Sequence, residues 1–417
     1  MTIGRRGSRR ATIGIADAGL SSLGNLSLSW IGARTLDLPQ FGVLSTAMFI
    51  GLIAAGLSKA ALIDGYTLQH STSDMRRHSP ATRQALGAVL VLAVAGSVLL
   101  ALAGMASSVF LDLPRGLAAL GLLLIPILVQ DALRWLCYAN ADESLALIST
   151  AIWTGGVWAG CAFLVAFDAV SLLSLIVVWA FFAGLGALTA MWRSHAWPHV
   201  RGATAWWKDA RAIGSKSSID FALTQSVSMG GGLVVAAVAG PAAFGLVRLA
   251  QLPLAPVQVL VMGSIALVQP AMVVRVRDGQ QRSAYALGIK VCAILALATL
   301  VLTALVLAVP VEFMSGVIGD SWPAAWALVP ISGAAMLGSL IGASFGPYLR
   351  AAGMLGFEVR WKLIASPISL AAVLLGAAVW GAPGGAAGLA FGAAFFSIPL
   401  AVRARQSLAR ESSRLAS

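Results

Sequence analysis

The sequence predicts an all-α polytopic membrane protein with about twelve transmembrane helices, arranged as two pseudo-symmetric six-helix bundles around a central cleft. Three observations support this: an apolar composition, basic loops that alternate along the chain, and an internal repeat. Of the 417 residues, 59% are hydrophobic and 11% are charged, and the mean hydropathy is +0.88. Soluble proteins average about a quarter charged residues. The composition therefore excludes a soluble enzyme and a nucleic-acid-binding protein.

Twelve mostly apolar stretches have the length of a membrane span. They are residues 11–33, 41–63, 84–110, 117–138, 144–167, 172–192, 217–239, 246–274, 284–310, 326–349, 362–380 and 385–402. The longest polar break divides them into an N-terminal six-helix bundle (1–192) and a C-terminal six-helix bundle (217–402). Between them we predict a cytoplasmic linker, 193–216, and after them a basic cytoplasmic tail, 403–417. Trp206 and Trp207 give the linker an interfacial amphipathic segment, although an ordinary connector fits equally well.

The basic residues predict the orientation of the chain in the membrane. Only Arg34, Arg115 and Arg248 fall on the side opposite the termini, and the other 25 of the 28 Lys and Arg residues fall on the side of the termini. Loops rich in Lys and Arg stay in the cytoplasm. We therefore predict a multi-pass protein of the cytoplasmic membrane with both termini inside, whose net charge of +12 faces anionic lipid headgroups.

An internal repeat relates the two halves at an offset of 203 residues. It pairs Asp17 with Asp220, and Phe41 with Phe244, so the Asp-to-Phe spacing is the same in both copies. Each copy opens one six-helix half. Since six is an even number, both halves have the same orientation in the membrane, as in transporters with parallel repeats.

Polar side chains recur at every fourth position of the first and seventh spans. They are Asp17, Ser21 and Asn25 on the first span, and Asp220, Thr224 and Ser228 with the adjacent Gln225 on the seventh. An ionisable group in the middle of a bilayer costs about 2.5–3.5 kcal/mol, so such residues face a bundle interior or a wet cavity. We expect the two stripes to line the central cleft. Alternatively, the two aspartates are interfacial and cap their helices or pair with a nearby Arg10 or Lys216.

Cations within or at the edge of the spans are candidates for holding an anionic cargo. Arg34, Lys59 and Arg248 are the ones we single out, because guanidinium and ammonium groups bind phosphate. Each alone also fits a side chain that extends to the membrane surface. Arg134 and Asp131 fit a local ion pair at the end of a span.

The sequence contains no motif of an enzyme. HExxH, Walker A and GxSxG patterns are absent, and Cys137, Cys161 and Cys292 fall inside apolar stretches without CxxC spacing. We therefore predict a protein that is not an enzyme and that has no cofactor and no metal site.

Short motifs at the predicted span ends resemble those of a known transporter superfamily. They are Phe41-Gly42, Gly56-Leu57-Ser58-Lys59, Gly319-Asp320-Ser321-Trp322 and Leu349-Arg350-Ala351-Ala352-Gly353. With twelve spans and a twofold repeat, the chain resembles the polysaccharide branch, with its O-antigen-type flippases, of the multidrug/oligosaccharidyl-lipid/polysaccharide exporter superfamily. The resemblance covers the whole chain.

The resemblance implies a flippase that moves an undecaprenyl-pyrophosphate-linked oligosaccharide to the outer leaflet by alternating access. Its partners would be membrane lipid, the lipid-linked glycan, and glycosyltransferases or a polymerase of a polysaccharide pathway. The substrate-binding residues would be Ser21, Asn25, Arg34, Lys59, Thr224, Gln225, Ser228 and Arg248, with Asp17 and Asp220 as ion-coupling residues. The alternatives are a cation-coupled multidrug antiporter of the same fold and a non-transporting membrane partner of a glycan assembly complex.

Overall fold

The structure is a computed structural model. It describes the backbone of residues 2–70, 80–110 and 116–416. Every regular element in these ranges is a helix. The all-α prediction is therefore confirmed. Most of the hydrophilic loop 70–83 lies outside the described residues.

The chain divides into two compact units, and unit 1 comprises Met1–Ala222. Its helices in chain order are α1 (Thr2–Thr35), α2 (Leu38–Ser58), a π-helical turn (Lys59–Ile63), α3 (Asp64–His70), α4 (Pro80–Phe110), α5 (Gly116–Ala139), α6 (Glu143–Ala166), α7 (Leu172–Ser194), a 3₁₀ turn (Val200–Gly202) and most of α8 (Ala203–Gln225). Within the unit, α5 packs against α2, α4, α6 and α7, and α1 packs against α6.

Unit 2 comprises Leu223–Ser417. Its helices are the end of α8, a π-helical turn (Ser226–Gly230), α9 (Gly231–Val238), α10 (Pro241–Gln251), a 3₁₀ turn (Leu252–Leu254), α11 (Ala255–Arg277), α12 (Gln281–Ala308), α13 (Val311–Ile318), α14 (Trp322–Trp326), α15 (Val329–Ala351) and α16 (Leu355–Ala416). Gly381 has a φ of 60° and divides α16 into two arms. Within the unit, α15 packs against α11, α12 and α16, and α9 packs against α16.

Nine helices of the described chain are long and apolar enough to cross a membrane. One of them, Leu355–Ala409, contains the kink at Gly381 and covers the eleventh and twelfth predicted spans. The first and fourth predicted spans are helices α1 and α5, which are not among the nine. The architecture agrees with the predicted count of about twelve.

The internal repeat is visible in the structure. Helix α10 begins at Pro241, 203 positions after α2 begins at Leu38, and each of these helices has a proline in its first turn. Phe41 and Phe244 are both buried. Proline fits the first helical turn because the backbone N–H that it lacks has no partner there in any helix.

Later in each unit the offset between equivalent positions grows to 212. Ala141 and Gly353 end equivalent helices in the left-handed conformation, with φ of 58° and 72°. Both turns use the same hydrogen bonds, in which the following residue donates to the carbonyl four residues before the turn: Asp142 to Cys137, and Met354 to Leu349.

Residues 203–216, predicted from the sequence to be part of a linker, form the first half of α8 and pack inside unit 1. Trp206 is 4% exposed and its Nε1 donates a 3.2 Å hydrogen bond to the carbonyl of Leu62, whereas Trp207 is 50% exposed. The Trp206 ring also lies 5.8 Å from the ring of Tyr66. Burial of one indole, rather than an interfacial position for both, fixes this end of α8 to the π-helical turn that follows α2.

The predicted tail also begins as a packed helix. Ala404 is buried with Phe345, Tyr348 and Leu349 in the core of unit 2. Arg403 places its guanidinium carbon 5.3 Å from the ring of Phe357. The second arm of α16 therefore continues beyond the predicted end of its span at residue 402.

Candidate functional site

Asp17 lies on α1 and is fully buried inside unit 1. Its Oδ2 accepts a 2.6 Å hydrogen bond from Nε of Arg134 and a 2.7 Å hydrogen bond from the hydroxyl of Tyr138. Arg134 and Tyr138 lie four positions apart on α5, so both side chains leave the same face of that helix. A buried carboxylate on α1 is thus held by a cation and a phenol from a neighbouring helix.

The other carboxylate oxygen of Asp17, Oδ1, is buried and has no hydrogen-bond partner among the described residues. The hydroxyl of Thr150, on α6, is also buried without a hydrogen-bond partner among the described residues. Thr154, one turn after Thr150, donates a 2.9 Å hydrogen bond to the carbonyl of Leu20 and so joins α6 to α1. In both helices the unsatisfied oxygen lies about one turn before this contact.

Trp135 connects the aspartate to a second ion pair. Nζ of Lys59 lies 4.6 Å from the centre of the Trp135 ring and 2.7 Å from Oδ1 of Asp64. The guanidinium carbon of Arg134 lies 5.4 Å from the same ring, and Nη1 of Arg134 lies 3.4 Å from Oδ1 of Asp131. Arg134 thus pairs with Asp131, as the sequence predicts, and also with Asp17.

We call Asp17, Lys59, Asp64, Asp131, Arg134, Trp135 and Tyr138 the unit 1 cluster. It contains three carboxylates and two cations, which gives it a formal charge of −1. Asp17 belongs to the group that the sequence singles out for ion coupling, and Lys59 to the group for substrate binding.

A second charged group lies in unit 2. Glu358 and Lys362 are buried one turn apart at the start of α16, with Nζ of Lys362 2.8 Å from Oε1 of Glu358. Arg350, at the end of α15, donates to both oxygens of Glu358, at 3.0 Å from Nε to Oε2 and 2.9 Å from Nη2 to Oε1. Lys362 also donates a 3.0 Å hydrogen bond to Oγ1 of Thr224 on α8. The four residues form the unit 2 cluster, whose one carboxylate and two cations give a formal charge of +1.

The sequence did not identify Glu358 as a site residue, and it placed Arg350 and Lys362 at span ends on the cytoplasmic side. Helix α16 begins at Leu355, seven positions before the predicted start of that span. The signal in the sequence is the i, i+4 spacing of an acid and a base next to an apolar stretch, which is typical of an ion pair on one helical face.

The remaining predicted residues lie outside the two clusters. Asn25 donates to the carbonyl of Ser21 on its own helix, and Ser228 donates to Oε1 of Gln225. Nη1 of Arg248 donates to Oε1 of Gln251. The other two are Arg34, exposed in the last turn of α1, and Asp220, half-buried on α8.

The described part of the chain contains no group of three His, Cys, Asp or Glu residues that could hold a metal ion. The oxygen atoms that its helices offer to a cation are those of carboxylates, hydroxyls and backbone carbonyls. Such donors suit a monovalent cation or a proton, and the paired cations suit an anionic group.

The comparisons with known proteins show the fold of this chain. No protein-family model matches it, and no curated protein sequence matches it. A solved inward-facing conformation of a multidrug resistance MATE family transporter of the MOP superfamily matches with a TM-score of 0.69 and 12% identity, over 94% of this chain and 96% of that one.

Two further solved structures match over nearly their whole length. An outward-facing conformation of a multidrug resistance MATE family transporter of the MOP superfamily gives a TM-score of 0.59 at 11% identity, over 97% of this chain and 95% of that one. A crystal structure of MATE in the bent conformation gives 0.59 at 14% identity, over 99% and 97%. The chain therefore has the fold of these MATE structures.

Proposed function

We propose that this chain is an ion-coupled transporter that moves a lipid-linked oligosaccharide of the undecaprenyl-pyrophosphate type across the cytoplasmic membrane by alternating access. The observation that supports this proposal best is the buried carboxylate of Asp17. One of its oxygens, Oδ2, is paired with Arg134, and the other, Oδ1, has no hydrogen-bond partner among the described residues. Ionisable residues inside membrane spans mark ion pathways in transporters. The MATE fold supports a transporter, because the matching structures are transporters.

The coupling step is the binding of a proton or a monovalent cation at Oδ1 of Asp17. The unit 1 cluster has a formal charge of −1, so one bound cation neutralises it. Binding weakens the attraction between Asp17 and Arg134, because the carboxylate charge is then shared with a second positive partner. A ligand shifts a conformational equilibrium only by its difference in affinity for the two states. For Asp17 to bind the ion with different affinities in the two states, its contact with Arg134 must change between the inward-facing and the outward-facing state.

The charge of the unit 2 cluster supports an anionic cargo. Three carboxylates, Asp17, Asp64 and Glu358, are already paired with cations, and the unit 2 cluster has one cation in excess. Arg350 is 41% exposed and therefore accessible to a diphosphate. A cationic drug would meet no uncompensated carboxylate among these three.

The polar residues predicted from the sequence remain proposals for binding the sugar and the diphosphate. They are Ser21, Asn25, Arg34, Lys59, Thr224, Gln225, Ser228 and Arg248. Hydroxyl and amide side chains replace water around a sugar, and cations neutralise phosphate.

A cation-coupled multidrug antiporter is the second candidate. It is favoured by the matching structures, which are multidrug resistance transporters. In that case the unit 1 cluster, with its formal charge of −1, would bind the cationic drug and the coupling ion alternately.

A transport assay with the purified protein in liposomes separates the two candidates. The probe is a polyprenyl-diphosphate disaccharide whose sugar carries a fluorophore, and dithionite, which does not cross the membrane, quenches only the outer leaflet. Flipping increases the quenched fraction, and Asp17→Asn should abolish the increase. Uptake of the cationic dye ethidium with no flipping of the lipid would favour the antiporter and contradict the flippase.

A further inference from the structure

The two units repeat one hydrogen bond between equivalent helices. In unit 1, Oγ1 of Thr154 donates to the carbonyl of Leu20 at 2.9 Å. In unit 2, Oγ of Ser366 donates to the carbonyl of Leu223 at 3.0 Å. Leu20 and Leu223 are 203 positions apart and Thr154 and Ser366 are 212 apart, the two offsets that relate the units elsewhere. The environments of these two bonds can therefore be compared position by position.

One turn before this bond, the two units carry different side chains. The 212-residue offset relates Thr150 of unit 1 to Lys362 of unit 2, and Ala146 to Glu358. All four residues are buried. Unit 1 therefore has a hydroxyl where unit 2 has an ammonium group.

The difference in side chains goes with a difference in hydrogen bonding. In unit 1, Oγ1 of Thr150 and Oδ1 of Asp17 are buried without a partner among the described side chains. In unit 2, Nζ of Lys362 donates to Oγ1 of Thr224 and Oε1 of Glu358, and the side chain is 2% exposed. Unsatisfied buried oxygens are costly, whereas an ammonium group surrounded by oxygens is satisfied.

We propose that the Lys362 ammonium is a tethered cation that performs permanently, in unit 2, the role that a cation from solution performs at Asp17 and Thr150 in unit 1. The unit 1 half of this inference rests on the proposed function. Because a covalently attached charge cannot dissociate, unit 2 exchanges no ion at this position. Ion exchange is then confined to the site at Asp17 and Thr150, because the equivalent position in unit 2 already holds a permanent positive charge.

The tethered cation also joins two helices of unit 2. Lys362 connects α16 to Thr224 on α8, and the π-helical turn Ser226–Gly230 follows directly. With Ser366 bound to Leu223, two side chains of α16 hold the last α-helical turn before the change in helix geometry. A removable ion here would make that contact depend on the ion concentration, and the lysine prevents this.

The experiment replaces Lys362 with the residue that unit 1 carries and measures whether unit 2 then needs an ion. The unfolding temperature of the full-length protein in detergent is measured as sodium chloride replaces N-methyl-D-glucamine chloride at constant ionic strength. We expect Lys362→Thr to lower the unfolding temperature in N-methyl-D-glucamine chloride, and sodium to restore part of the loss, because an ion that binds only the folded state stabilises it.

Two matched variants serve as controls. Lys362→Arg keeps the charge and should show the sodium response of the original protein. Glu358→Ala/Lys362→Thr removes the carboxylate that pairs with the ammonium group as well as the ammonium group itself, so it should gain no sodium response.

The inference is overturned if sodium stabilises Lys362→Thr no more than it stabilises the original protein. It is also overturned if Lys362→Thr gives no folded protein in sodium chloride while the double variant folds, because sodium has then failed to replace the ammonium group. Failure of the proposed coupling at Asp17 would show differently, as an equal sodium response in the original protein and in Asp17→Asn.

Discussion

Nε of Arg134 lies 2.6 Å from Oδ2 of Asp17, although the two residues are 117 positions apart in the sequence. The contact joins α5 to α1 inside a unit whose helices are largely apolar. Asp17 is fully buried and the side chain of Arg134 is 14% exposed. A buried pair of this kind is conspicuous, because each charge is costly inside a membrane protein without the other.

We expect Asp17→Asn to lower the free energy of unfolding by about 3 kcal/mol, the lower end of the range for breaking a buried ion pair, because Asp131 still faces Arg134. The double variant Asp17→Asn/Arg134→Gln should be less destabilised than the sum of the single variants. Thermal unfolding in detergent measures all three. Additive losses would show that the two charges do not interact.

Tyr138→Phe should cost about 1.5–3 kcal/mol, since it removes a 2.7 Å hydrogen bond to a charged acceptor. The same variant in an Asp17→Asn background should cost clearly less. An equal cost in both backgrounds would mean that the Tyr138 hydroxyl does not act through Asp17.

Trp206→Ala should destabilise unit 1 by about 3–5 kcal/mol, because it empties a large buried site between α8 and the turn after α2. Trp207→Ala is the matched control, since the neighbouring indole is half exposed, and it should have little effect. Unfolding in detergent compares the two. Equal losses would indicate that both indoles lie at the membrane surface, as an interfacial segment would place them.

Gly338→Ala should cost about 1–3 kcal/mol, because the added methyl group would lie 2.7 Å from the backbone nitrogen of Ala394 where α15 meets α16. Gly356→Ala, in the same unit, adds a methyl group with nothing within 4 Å and should be tolerated. The yield and unfolding temperature of the two variants test this close approach. A stable Gly338→Ala protein would contradict it.

The sequence predicted the number of helices and their repeat well, because long apolar stretches and a constant offset are local properties of the chain. It also singled out Asp17 as a candidate, since a carboxylate in a predicted span is conspicuous in the sequence. It did not predict that Arg134 and Tyr138 bind Asp17, because contacts across more than a hundred positions depend on how α1 and α5 pack.

Two other differences between the sequence-based predictions and the structure also arise from contacts with distant parts of the chain. Lys362 was predicted to lie at the cytoplasmic end of a span, yet α16 begins earlier and buries the ammonium group against Glu358. Trp206 and Trp207 are indistinguishable in sequence, and only the position of the neighbouring Leu62 and Tyr66 makes one of them buried. In both cases a partner far away in the sequence, Thr224 for Lys362 and Leu62 for Trp206, decides the role of the residue.

The central claim, that Asp17 couples an ion to transport, is tested most directly by flipping of the fluorescent polyprenyl-diphosphate disaccharide in liposomes with an imposed sodium or proton gradient. The account predicts that one of these gradients accelerates flipping by the original protein and that Asp17→Asn responds to neither. A gradient response retained in full by a folded Asp17→Asn protein would contradict it.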